Sequence, residues 1–313
     1  MTRFRRCAVV RAIAFVTVSA AVPCAAPLAS QQMSPSRATP QRSTSPQMIW
    51  PRSATQRAAT PVPLPADSVL EGISTRGRAL AAYQNAVWSG AEAVLALQSG
   101  AGSAATYIAR PTDDGWEAVF GRLTRGGDAF LVSYESHPRP GGREDVRGVE
   151  YVARRLTPAR ADTGYYLRAA RAMATAQADF GATDRPYNAA ALPAPGGQWW
   201  VYVLPAPTAD GAWPLGGDSR YLVSPDGRTI VAHRRLHLSI LAFGNERHSA
   251  YAKLETQFQT SVLDDIPEDT DVLHVLARAS GVPQYVITDA FCYRIEADGT
   301  VKLLGRREEL LGK

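Results

Sequence analysis

The chain has 313 residues, a net charge of +5 and a pI near 9.2. Its basic excess lies ahead of residue 67: residues 1–30 and 31–66 each hold four arginines and no acid, so residues 67–313 carry −3. A mildly acidic folded portion argues against phosphate-backbone binding, and no nucleic-acid partner is expected.

Residues 1–30 place Arg3, Arg5 and Arg6 ahead of an apolar run, Ala8 to Val22, interrupted by Arg11 and followed by small residues. That is the layout of a signal peptide and implies a periplasmic or secreted protein. The run is too short to span a bilayer, and no later stretch offers a transmembrane segment for the mature chain. Residues 31–66, rich in Ser, Pro, Gln, Thr and Ala, hold too little apolar surface to order themselves and read as a disordered linker. With Cys7 and Cys24 in the leader, Cys292 is left alone and no internal disulfide is available. Its neighbours Phe291 and Tyr293 suggest a buried, unreactive thiol.

Residues 67–150 read as a helix followed by an antiparallel meander. Ile73, Leu80, Tyr83, Val87 and Val94 return to one helical face. Strands are expected over 106–110, 116–123 and 129–136, joined by Asp113-Asp114-Gly115 and Arg125-Gly126-Gly127. His137 to Gly148 is polar and reads as a loop. Residues 151–313 repeat the plan, with a helix over 162–180 and strands over 199–204, 219–224 and 229–237. Pro225-Asp226-Gly227 closes a hairpin there. The expected class is α+β, two helix-plus-antiparallel-meander layers.

His233 and His237 are four residues apart, but within one strand that spacing is about 13 Å, too far for two ligands of one ion. With Arg235 they form a candidate binding face. Asp264, Asp265, Glu268, Asp269 and Asp271 crowd five carboxylates ahead of a short apolar helix. Asp265 as N-cap with Glu268 three residues on explains part of the cluster. The remaining repulsion calls for Arg278, water or a cation.

The order of strand, acidic Pro-containing turn, short helix and the closing strands Gln284–Thr288 and Tyr293–Gly299 resembles the metal-binding half of JAB/MPN (JAMM-type) metallopeptidase-like domains. The resemblance implies a zinc site built from a His-x-His strand end and a helical aspartate. In this chain those positions hold Gln259, Ser261 and Asp271, with the turn at Pro267-Glu268. Gln and Ser are poor zinc ligands, so a degenerate site is expected, with Gln259, Ser261, Glu268 and Asp271 as its residues and no metal or other cofactor. Glu246 and Glu255 are the unplaced candidates for the family's catalytic glutamate. The HExxH, Walker A and GxSxG motifs are missing.

The expected function is a non-catalytic binding or assembly module of the cell envelope, its partner an envelope protein or peptide. The alternative is a divergent metal-dependent (iso)peptidase or hydrolase in which Asp271 and a histidine from elsewhere rebuild a zinc site, or a calcium-stabilised domain.

Overall fold

A computed structural model describes residues 62–97, 106–142, 144–145, 148–207, 214–242, 257–261, 263–278 and 281–311. The expected leader, most of the linker, and Trp213, Glu246, His248 and Glu255 lie outside the described residues.

Helix α1 (Asp67–Leu97) buries Ile73, Leu80, Tyr83, Val87 and Val94, the apolar set read from its period. Strands β1 (Thr106–Thr112), β2 (Gly115–Leu123) and β3 (Phe130–Pro138) follow as an antiparallel meander. The expected loop after His137 contains a small ladder of β4 (Glu144–Asp145) with β5 (Gly148–Val149). Strand β6 (Tyr151–Asp162) then pairs with β3, giving a sheet of order β1-β2-β3-β6. That sheet takes strands from both sides of residue 150, where the sequence places a domain boundary.

Helix α2 (Tyr165–Phe180) starts three residues after the expected position because Asp162 stands outside it. Asp162 Oδ1 accepts the backbone N–H groups of Gly164, Tyr166 and Leu167 at 3.0, 3.0 and 3.2 Å. These are donors that the helix cannot satisfy itself. The second sheet has the order β11-β10-β8-β7, built from β7 (Tyr187–Pro193), β8 (Trp199–Pro205), β10 (Ser219–Val223) and β11 (Ile230–Arg235). A separate two-stranded ribbon pairs β9 (Pro214–Gly216) with β12 (Ile240–Ala242).

The third sheet combines β13 (Gln257–Thr260), β14 (Gln284–Ile287), β15 (Phe291–Ile295) and β16 (Val301–Arg306), ahead of a short α4 (Arg307–Leu311). Strand β13 runs parallel to β14, and α3 (Asp269–Ala277) makes the crossover between them. The class is α+β.

Buried apolar residues form three clusters. Around α2, Met173 and Ala170 pack with Ile108 and Phe130 of the first sheet and Val201 and Tyr221 of the second. Around α1, Leu80 and Tyr83 pack with Phe120, Tyr202, Leu236 and Leu273. The N-terminal turns of α1 meet α3 and the third sheet through Leu70, Ile73, Val272, Phe291 and Tyr293. Gly77 makes that last approach possible: a Cβ there would meet Val272 Cγ1 at 2.6 Å and the Asp269 carbonyl oxygen at 2.8 Å. The start of α3 is thereby pressed against α1, with β8, β10 and β11 close by. Among the described residues no helix is long and apolar enough to cross a membrane.

Candidate functional site

Helix α3 begins at Asp269, so Asp265 is not its cap. Glu268 occupies that position, its side chain accepting the Asp271 N–H while Asp271 Oδ2 accepts the Glu268 N–H at 2.8 Å. Both acid pairs share the three-residue spacing of a capping box, and Pro267 separates the two possibilities. Asp265 instead binds the third sheet: its Oδ1 accepts the Ala290 N–H at 3.1 Å and its carbonyl accepts the Tyr293 hydroxyl at 2.6 Å.

The acids of the cluster are divided among separate cationic partners. Asp269 is fully buried and receives the Arg76 Nε and Nη2 groups at 3.0 and 2.9 Å. Its other oxygen accepts the Tyr202 hydroxyl at 2.7 Å and an N–H from Arg220. The same two arginines lie over the Trp200 ring, with guanidinium carbons 6.0 and 5.1 Å from its centroid. Thus α1, β8 and β10 all attach to the first residue of α3. Glu268 pairs with Arg234 of β11, which also reaches Asp264 at 2.8 Å. Arg278, expected to balance the carboxylates, turns away and donates to Gln284 Oε1 at 2.9 Å.

Asp271, also fully buried, faces the other way. Its Oδ1 lies 3.1 Å from His237 Nε2 and accepts an N–H from the Gln259 side chain. The opposite ring nitrogen, His237 Nδ1, lies 2.7 Å from Asp218 Oδ1. Gln259 continues the chain, accepting from Gln284 Nε2 at 2.7 Å. A buried polar row therefore runs Asp218, His237, Asp271, Gln259, Gln284, Arg278, linking the second sheet, α3 and the third sheet.

The expectation that His233 and His237 share a strand face is not met, because β11 ends at Arg235. Beyond it the chain turns His237 inward, to 12% side-chain exposure. His233 stays on the surface, stacked on Tyr221 at 4.1 Å between ring centroids and 3.7 Å from Asp179. Arg235 donates to the carbonyls of His237 and Leu238 at 3.2 and 3.0 Å and so holds that turn. The three residues do not form one face.

Protonation follows from these surroundings. Burial alone would lower the His237 pKa, but the charges and hydrogen bonds of Asp271 and Asp218 raise it to about 11, so the ring is an imidazolium at neutral pH. Burial alone would raise that of Asp271; His237, the Glu268 N–H and Gln259 bring it below the ordinary carboxyl value. His274, one turn further along α3, is pushed down to about 3 by burial and by the Arg278 charge, and stays neutral. Burial pushes the Glu268 carboxyl up to about 8 against the pull of Arg234.

A cleft of about 230 Å³ opens beside this row. One wall comes from Leu236, His237, Leu238, Ser239 and Leu241 with Leu215, the other from Gln259, Thr260, Ser261 and Leu263. Ser261 is buried, and its hydroxyl reaches the Asp264 carbonyl at 3.4 Å. With both ring nitrogens of His237 directed at carboxylates, the imidazole has no lone pair with which to activate Ser261 as a nucleophile. Of the sequence-derived site residues, Gln259 and Asp271 meet directly, and Glu268 joins Asp271 through the cap. Asp218, Arg220 and Arg76 were missed. The available signal was the Asp-Ser-Arg run at 218–220, an acid and a base at the start of an apolar strand.

Compared with protein-family models, curated proteins and solved structures, the chain matches none.

Whether zinc fits these residues is decided by the donors. Of the positions that the JAB/MPN resemblance assigns to ligands, only Asp271 bears a strong one, and its oxygens already accept from His237, Gln259 and the Glu268 N–H. Among the described residues no three His, Cys, Asp or Glu side chains are grouped as a metal site. The residues present do not fit the family's zinc centre.

Proposed function

We propose that this chain is an exported, non-catalytic binding or assembly module of the cell envelope, carrying a degenerate JAB-like site whose carboxylates serve as structural braces. The observation that carries this reading is Asp271. Fully buried, it ties the His237 turn to the start of α3 and to β13. A carboxylate so engaged orients neighbouring chain segments rather than reacting with a substrate. What remains open is the cleft of about 230 Å³ that those segments flank, suited to an envelope protein or peptide.

The test is metal content together with peptide and isopeptide cleavage by the purified chain. The module reading predicts sub-stoichiometric metal and no cleavage. Stoichiometric zinc with cleavage, both abolished by Asp271→Ala, would overturn it.

A second reading, a divergent metal-dependent hydrolase, is favoured by one contact. Asp218 holds His237 Nδ1 at 2.7 Å, the kind of carboxylate support that orients metal-bound histidines. It predicts that zinc or manganese raises the unfolding temperature, since an ion bound only to the native state stabilises it. A response to calcium alone would point instead to a calcium-stabilised structural domain.

A further inference from the structure

We infer that the cleft between β12 and β13 accepts an extended, apolar peptide segment as an added strand. This rests on the binding-module reading and names its partner class.

Strand β13 lies at the edge of the third sheet, paired among the described residues with β14 alone. The Ser261 N–H donates to the Ile287 carbonyl at 2.9 Å, towards β14. Backbone groups alternate in direction along a strand, so the N–H of Thr260 points away from β14, to the open side. Thr260 is exposed and lines the cleft. Across from it, β12 pairs among the described residues only with β9, and its Leu241 lines the same cleft. The edge of β13 and the paired Leu215 and Leu241 of the β9–β12 ribbon therefore flank one opening.

The side chains at the mouth are apolar. Leu238, Leu241 and Leu263 are 51, 47 and 41% exposed, and all three border the cleft, with Leu215 and Leu236 buried behind them. Large apolar side chains gathered at one opening mark a contact surface. An alkyl chain would satisfy the leucines but leave the β13 edge unpaired. An extended peptide satisfies both, its backbone bonding to β13 and alternate side chains lying on the leucines. His237 borders the cleft as well, with Asp218 and Asp271 buried behind it and each bonded to its ring. A charged side chain laid on the leucines would lose its hydration, which disfavours acidic residues and favours neutral ones. From behind, Gln259 bonds both Asp271 and Gln284, so the buried row holds the edge strand in place for a partner.

The experiment is fluorescence anisotropy of a labelled, end-blocked Ala-Leu-Ala-Leu-Ala peptide titrated with the full chain. Three comparators are its backbone N-methylated form, an Ala-Glu-Ala-Glu-Ala peptide, and decanoate as competitor. Binding is expected for the first peptide, weakened about tenfold or more by N-methylation and by glutamate, a difference of about 1.4 kcal/mol. Thr260→Pro removes the outward N–H without touching the bond from Ser261 to Ile287, and is expected to weaken binding similarly. Leu241→Glu, at an exposed site, supplies a second variant should Thr260→Pro fail to fold. No binding, or binding indifferent to N-methylation, overturns the inference. Decanoate binding in the peptide's place overturns strand addition and leaves the module reading standing. Zinc-dependent cleavage of the peptide overturns the module reading itself.

Discussion

His237 Nε2 lies 3.1 Å from Asp271 Oδ1, though 34 residues separate them in sequence, and the same ring reaches Asp218 through Nδ1. One imidazolium thus joins the end of the second sheet to the first turn of α3. Removing one partner leaves buried charge uncompensated. His237→Ala is expected to destabilise the chain by about 3–5 kcal/mol in urea unfolding, the range for breaking a buried ion pair. A loss below about 1 kcal/mol, typical of exposed pairs, would mean that the contact is not formed.

The pH dependence follows with opposite signs at the two buried histidines. The His237 pKa is raised from 6.5 to about 11, so its contribution is complete below pH 6.5 and lost as pH rises towards 11. His274 is lowered from 6.5 to about 3; its contribution is complete above pH 6.5 and lost as pH falls towards 3. Stability against pH should therefore decline on both sides of neutrality. His237→Gln should flatten the alkaline limb selectively and His274→Gln the acid limb, in urea midpoints measured from pH 4 to pH 10.

Asp269 predicts a graded series. It collects Arg76, Arg220 and Tyr202 onto one buried carboxylate. Asp269→Ala should cost about 3–5 kcal/mol by stranding Arg220. Tyr202→Phe, which deletes one hydrogen bond to a charged acceptor, should cost about 1.5–3 kcal/mol. Equal effects in the two variants would contradict the arrangement.

Gly77→Ala tests how closely α1 approaches α3. Alanine in place of glycine normally favours a helix interior by about 1 kcal/mol. Here the new methyl would meet Val272 Cγ1 at 2.6 Å and backbone oxygen of Asp269 at 2.8 Å, so a net loss of about 1–3 kcal/mol is expected. A stabilised variant would show that the two helices are not in contact at that point.

Local order was readable from the sequence to the extent that it is set locally. The period of α1 gave a helix with the expected buried face, and α2 forms within the expected range. The Pro225-Asp226-Gly227 turn is present, with Gly227 at φ 77° and its N–H donating to the Ser224 carbonyl at 2.9 Å. Strand β6 escaped notice because Tyr151–Asp162 is arginine-rich and has no fully buried residue, leaving no apolar alternation to read. The His237 contact was hidden for a different reason. Extending β11 two residues too far put His237 on the wrong face, since a strand reverses side-chain direction at every residue. The partners of Asp269 come from three elements between 49 and 193 residues away, a distance at which spacing carries no signal.

His237 bonds two carboxylates rather than an ion, so both of its ring nitrogens carry protons. 15N NMR of the His237 ring at pH 8, with and without excess zinc, reads this state. Two protonated ring nitrogens, unchanged by zinc, are expected. A deprotonated nitrogen that shifts on zinc addition would contradict this and favour the hydrolase reading.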